Sequence, residues 1–174
     1  EACRALNLPE SKQYMLFFGL VRAYKGLDWL LSAFGMVKDK LPALQLIIAG
    51  EFYEDEEKYR KQIADNGLIE RVVLKNEFIP DDDLRKYFGA ADLIVQPYKT
   101  ATQSGVTQVG GLAEIVHDHK MGYASQPNPQ AIAEDLMDYF SNDRQQAYTQ
   151  YLIQEKSKYA WSNMTQAFIK IYKQ

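Results

Sequence analysis

The chain has 174 residues, a formal net charge of −3 and 47% hydrophobic residues, the composition of a single soluble globular unit with a full core. Acids and bases are interspersed, which argues against nucleic acid as a partner, and the apolar runs fall far short of the about 18 residues a membrane span needs. A single cysteine, Cys3, excludes an internal disulfide, fits a reducing, cytoplasmic compartment and reads as a spectator thiol; no signal peptide is visible.

In chain order, Met15–Phe18 is a short apolar strand that ends at Gly19. Arg22 and Lys25 follow in a short loop, and Gly26 opens an amphipathic helix over Leu27–Lys40. Leu27, Leu30, Leu31, Phe34, Val37 and Leu41 recur at helical spacing and mark its buried face, and Pro42 stops it. Leu44–Ala49 reads as a buried strand ending at Gly50. A charged surface helix is expected over Glu54–Asn66, closed by Gly67. Val72–Ile79 reads as a third strand, and Pro80 with Asp81, Asp82 and Asp83 starts the next helix, acids at its positive end. Leu93–Val95 reads as a fourth strand reaching Pro97. Helices are expected over Asn128–Ser141, Asp143–Tyr159 and Ser162–Tyr172.

Alternating strands and helices, with strands that are continuously apolar, predict a Rossmann-like, doubly wound parallel sheet with helices on both faces and a helical C-terminus. Ligands of such sheets sit beyond the carboxyl ends of the strands, so the loops starting at Gly19, Gly50, Phe78 and Pro97 should share one rim. One stretch breaks the pattern. Gln103–Gln108 reads as a loop entering a helix, yet Val109–Ile115 at once reads as a strand end, a glycine turn and a new helix. A parallel crossover needs about a dozen residues, so a helix and a strand are expected to be missing between 108 and 109.

The first loop is neither GxGxxG nor GxxxxGK[ST], which excludes a dinucleotide fingerprint and a P-loop. No carboxylate cluster follows the first strand, which weakens a phospho-receiver reading. Arg22 offers a bidentate fork and Lys25 a mobile point charge, suited to phosphate; the plainer reading is a solvated basic loop. Gly110 and Gly111 allow close backbone approach before a helix N-terminus, or simply make a tight turn. Glu114 is either an acceptor for sugar or ribose hydroxyls or a first-turn carboxylate. His117-Asp118-His119 is read as a solvated turn rather than a metal site, because ligands two apart diverge and no third is evident. Tyr14, Tyr24, Phe34, Tyr139, Tyr148, Tyr151 and Trp161 read as packing residues.

Taken together, FFGLVRAYKGLDWLLSAF, LQLIIAGEF, FIPDDDLRKYFGAADLIVQPY, SGVTQ and VGGLAEIVHDHKMGY, in this order, resemble the donor-binding C-terminal domain of a family 4 glycosyltransferase with the GT-B fold. The resemblance runs from about Leu6 to the last helix. It implies a nucleoside-diphosphate sugar bound between two Rossmann-like domains, transfer with retention of configuration, no cofactor and no bound metal. It further implies that Lys25 is the phosphate-binding lysine and Arg22 its partner, although many relatives place the arginine directly after the glycine, where this chain has Leu20. Gln103 falls where the family often carries a glutamate near the donor sugar; a glutamine hydrogen-bonds hydroxyls but is not ionised. Ser104 and Gly105 match that loop, Gly110, Gly111 and Glu114 match the GGxxE turn, and Phe78 and Ile79 lie where the nucleobase packs.

The resemblance makes residues 1–174 one nucleotide-sugar-binding domain, the partner of an N-terminal acceptor-binding domain absent from this sequence. Alone, it is expected to bind donor and to transfer little. The full-length enzyme would build a cell-surface polysaccharide or glycolipid, with peripheral membrane association an open expectation. Two alternatives stay open: a non-catalytic nucleotide-sugar-binding module, favoured by Gln103, and a GT-B-type sugar epimerase, which would call for more catalytic acids and a histidine in the cleft.

Overall fold

Four apolar segments pair into one parallel sheet in the computed structural model, which describes residues 1–99 and 120–155. They are β1 (Gln13–Phe18), β2 (Leu44–Ala49), β3 (Val72–Lys75) and β4 (Leu93–Ile94), in the order β3-β2-β1-β4. Met15 lies opposite Leu46 on one side and Leu93 on the other. After β3 the chain crosses to the far side of β1, so the strand order reverses between β1 and β4. This is a topological switch point, the place where doubly wound sheets bind ligands.

The helices are α1 (Ala2–Ala5), α2 (Leu27–Val37), α3 (Glu56–Asp65), α4 (Asp81–Ala90), α5 (Pro129–Ser141) and α6 (Arg144–Glu155). Successive strand residues point to opposite faces. Met15, Phe17, Leu46 and Ile48 therefore enter one core with α2, α3 and α5. Tyr14, Leu16, Ile47 and Ala49 enter a second core with α1 and α4. Burial on both faces explains why these strands read as continuous apolar runs. The expected face of α2 is the buried one: Leu27, Leu30, Leu31 and Phe34 are fully buried, and Val37 and Leu41 nearly so.

Element boundaries differ from expectation where hydrogen bonds end. β3 stops at Lys75 rather than Ile79, because β2 has ended: Gly50 N–H donates to Lys75 O (3.0 Å), and the Asn76 side chain then accepts Phe52 N–H (3.0 Å). Phe78 and Ile79 are thus loop residues. α3 starts at Glu56, since Asp55 is its N-cap and accepts Glu57 N–H (3.0 Å), leaving Glu54 outside the helix. Its end is a Schellman turn through Gly67, with Gly67 N–H on Ala64 O (2.9 Å) and Leu68 N–H on Ile63 O (2.8 Å). α2 is regular to Val37 and β4 only to Ile94, although Val95 N–H still donates to Leu16 O (2.9 Å). The third C-terminal helix, Trp161 and the break between 108 and 109 lie outside the described residues.

Candidate functional site

The loops leaving β1 and β2 stay together beyond the sheet. Gly19 N–H donates to Ala49 O (2.9 Å), Val21 N–H to Glu51 O (2.8 Å) and Tyr53 N–H to Val21 O (3.1 Å). The chain then makes a 3₁₀ turn over Ala23–Lys25 and enters α2 through Gly26, with no side chain capping the helix. Glu54 braces this turn. One carboxylate oxygen accepts Ala23 N–H (2.5 Å) and the other accepts the Tyr59 hydroxyl (3.1 Å). Burial and Glu54 together hold that hydroxyl protonated, well above the ordinary tyrosine range.

Arg22 is exposed, its guanidinium 4.9 Å from the centre of the Tyr53 ring. Lys25 is half-buried, and its ammonium lies over Gly19: a Cβ at Gly19 would come within 2.9 Å of Nζ. Burial, and then the like charge of Arg22, lower the pKa of Lys25. Among the described residues no carboxylate pairs with Lys25. A partly desolvated cation with no counter-ion among the described residues, next to a helix N-terminus without a side-chain cap, is an arrangement suited to an anion.

The loop after β4 forms the other wall. Gly26 has φ +72°, and a Cβ there would collide with the Pro97 carbonyl oxygen. Lys99 N–H donates to Tyr24 O (2.7 Å), and the Tyr24 and Tyr98 rings stack 6.1 Å apart at 12°. The Lys99 ammonium pairs with Asp28 at 2.5 Å and lies 5.0 Å from the Trp29 ring centre.

Beside Gly19 opens a cleft of about 250 Å³ between Phe18, Leu20, Glu51, Phe78, Ile79 and Asp81. Phe78 is 70% exposed at its mouth, while Ile79 is buried. Gly19 belongs both to this cleft and to the Lys25 seat, so Gly19, Arg22, Lys25, Phe78 and Ile79 occupy one rim. A larger groove of about 380 Å³, lined by Met36, Lys40, Ala133 and Met137, lies between α2 and α5 and holds none of the candidate residues. Gln103, Ser104, Gly105, Gly110, Gly111, Glu114 and the His117–His119 turn lie outside the described residues. Among the described residues no group of three or more His, Cys, Asp or Glu could hold a metal, and no helix is long and apolar enough to cross a membrane.

Sequence reasoning missed Glu54, Tyr53 and the Asp28–Lys99 pair. Glu54 reads as one more acid of a surface helix. Asp28 draws no attention in the sequence, because its partner stands 71 positions away with no local signal.

Residues 12–142 match the family described as "Glycosyl transferases group 1". The chain is 27% identical over 192 residues to D-inositol 3-phosphate glycosyltransferase of Corynebacterium urealyticum, covering 99% of this chain and 45% of that protein. It is 24% identical to lipopolysaccharide 1,2-N-acetylglucosaminetransferase of Salmonella typhimurium, covering 94% of this chain and 49% of the other. The chain thus spans about half the length of the curated relatives it matches. The crystal structure of the C-terminal domain of a glycosyl transferase group 1 family protein from Francisella tularensis has the same fold, with a TM-score of 0.78 over 92% of both chains at 18% identity. A pneumococcal O-GlcNAc transferase in complex with UDP and GlcNAc aligns with a TM-score of 0.69 at 17% identity, over 93% of this chain and 36% of that one.

Proposed function

Because this chain belongs to the group 1 glycosyl transferases, we propose that it is the donor-binding half of a retaining enzyme that moves a sugar from a nucleoside-diphosphate sugar to a glycan or glycolipid acceptor. The observation that carries this reading is Lys25, a half-buried ammonium with no acidic partner among the described residues, at the mouth of the switch-point crevice. When the bond between the anomeric carbon and the diphosphate breaks, negative charge grows on the departing diphosphate. Lys25, Arg22 and the α2 N-terminus are positioned to stabilise that charge more strongly in the transition state than in the ground state. The nucleobase lies in the adjoining cleft against Phe78 and Ile79, with Gly19 leaving room between base and phosphate. Gln103, Ser104 and Gly105 then contact the donor sugar, and the Gly110-Gly111 turn with Glu114 contacts sugar or ribose. The pneumococcal neighbour that holds UDP supports a uridine nucleotide as the first donor to try.

The acceptor is oriented by an N-terminal domain of the same protein, so this half alone binds donor and transfers little. The full-length enzyme works in the cytoplasm, at a membrane surface where its acceptor is lipid-linked. A helix and a strand are missing between Gln108 and Val109. An alignment of 192 residues against a chain of 174 is in keeping with this, since the relative carries extra residues somewhere inside the matched span.

The test is turnover by full-length protein supplied with UDP-, GDP- and ADP-sugars and with glycan and lipid-linked acceptors, the anomeric configuration of the product being read by NMR. A product that keeps the donor's configuration, lost in Lys25→Ala, is expected. Inversion overturns the retaining assignment, and an epimeric sugar formed from donor alone makes the protein an epimerase. Nucleotide binding without any turnover identifies the non-catalytic module that Gln103 favours.

A further inference from the structure

Two features of the rim take no part in the proposed donor contacts: a buried carboxylate oxygen without a hydrogen-bond partner among the described residues, and a second lysine beside it. Asp28 stands in the first turn of α2, three residues after Lys25. Its Oδ2 pairs with the Lys99 ammonium at 2.5 Å, and its Oδ1 is buried with no hydrogen-bond partner among the described residues. The side chains of Lys99 and Asp28 are only 28% and 23% exposed. If Lys99 were removed, Asp28 would be a partly buried charge with only the α2 N-terminus to offset it among the described residues. The Trp29 face, 5.0 Å from the ammonium, further fixes the direction from which Lys99 approaches.

The pair joins segments far apart in sequence. Asp28 lies in the first turn of α2, the helix that follows β1, and Lys99 in the loop after β4, the two strands between which the strand order reverses. The backbone follows the same seam: Lys99 N–H holds Tyr24 O, Tyr98 stacks on Tyr24, and Gly26 abuts the Pro97 carbonyl. Tyr24 and Gly26 flank Lys25. Whatever moves Lys99 therefore moves the turn that aims Lys25.

We infer that Asp28 and Lys99 are a positioning pair, a clasp across the switch point that holds the Lys25 turn in its anion-binding geometry and cancels the carboxylate charge an incoming anion would otherwise meet. An unpaired aspartate in the first turn of α2 would oppose a diphosphate arriving at the same helix end. Lys99 removes that opposition, and with its ammonium held by Asp28 and Trp29 it acts through Lys25 rather than on the ligand. The inference rests on the proposed anion site at Lys25.

The experiment compares Asp28→Asn, Lys99→Met, the double variant and Lys99→Arg in the full-length protein. The first readout is the pH midpoint of Lys25 acylation by an amine-reactive reagent without ligand, followed by peptide mass spectrometry. The second is calorimetric affinity for UDP. Asp28→Asn and Lys99→Met are each expected to raise the acylation midpoint toward that of an ordinary lysine and to weaken UDP by about tenfold, with the double variant no worse than either single one. Lys99→Arg keeps both readouts near the parent. An unmoved midpoint in both single variants overturns the clasp, whatever happens to thermal stability. Tighter UDP binding in Asp28→Asn with weaker binding in Lys99→Met also overturns it, making Lys99 a direct ligand. If the parent binds none of UDP, GDP or ADP, the donor-binding reading fails, while the acylation midpoint still decides the clasp.

Discussion

The two ends of the sheet are built on opposite principles. At the amino ends of the strands, polar groups are mutually satisfied. The Asp92 carboxylate accepts Tyr14 N–H (2.7 Å) and the Gln145 amide (2.9 Å), and its carbonyl accepts the Tyr139 hydroxyl (2.7 Å). Arg71 donates to the carbonyls of Leu44 (2.9 Å) and Leu41 (2.6 Å). At the carboxyl ends, among the described residues, Lys25 is half-buried without an acid, one oxygen of Asp28 has no hydrogen-bond partner, and Phe78 is exposed. Buried polar groups in folded proteins are normally paired. Incomplete pairing gathered at one rim is what the proposed donor would complete, while the opposite end supplies rigidity.

The comparison is sharpest at Gly26. Gly26→Ala introduces a Cβ into the Pro97 carbonyl at a φ that L-residues avoid, and about 4 kcal/mol of stability should be lost together with nucleotide binding. Chemical denaturation and calorimetry check both effects. At the amino end, Asp92→Ala should cost about 3 kcal/mol by leaving Tyr14 N–H unsatisfied, yet the fraction that remains folded should bind UDP as before. A change in UDP affinity there would break the division of labour between the two ends.

Lys25→Met should have the reverse character, losing most nucleotide affinity with no loss of stability at neutral pH. The sign follows from titration. Lys25 has a folded pKa below the usual 10.5, so its protonated form is disfavoured in the native state. That penalty is complete below the folded value and fades as pH rises from there toward 10.5, above which both states are neutral. Denaturation across this window should show the parent gaining stability with pH relative to Lys25→Met. An anionic ligand favours the charged lysine, so UDP affinity should fall as pH climbs through the depressed value. The smallest stability effect is expected for Phe78→Ala. Because Phe78 is 70% exposed, its truncation should shift stability by no more than about 0.5 kcal/mol, while UDP binding should weaken by about 1 kcal/mol through lost contact with the base.

Much of the frame was legible in the sequence because it rests on local patterns. The apolar run of β2 and the face of α2 read directly from spacing, and Gly67 announced the end of α3. Lys25, Gly19 and Phe78 were legible as rim residues because a parallel sheet carries its strand-to-helix loops on one edge. The remainder depends on partners distant in sequence. β3 ends four residues early because its neighbour β2 has ended, which nothing within Val72–Ile79 announces. Gly26 reads as a helix opener, but the need for glycine lies in Pro97. Asp28 and Lys99 look like two ordinary surface charges until the switch point brings β1 beside β4.

The measurement that tests the central claim most directly is calorimetric titration of the protein with UDP, GDP and ADP and with their sugar conjugates, repeated on Lys25→Ala. Saturable binding of one nucleotide, weakened at least about tenfold by the substitution, is the predicted result and places the diphosphate at the first loop. Equal affinity in the parent and in Lys25→Ala would contradict the account, because the half-buried ammonium would then serve something other than the donor.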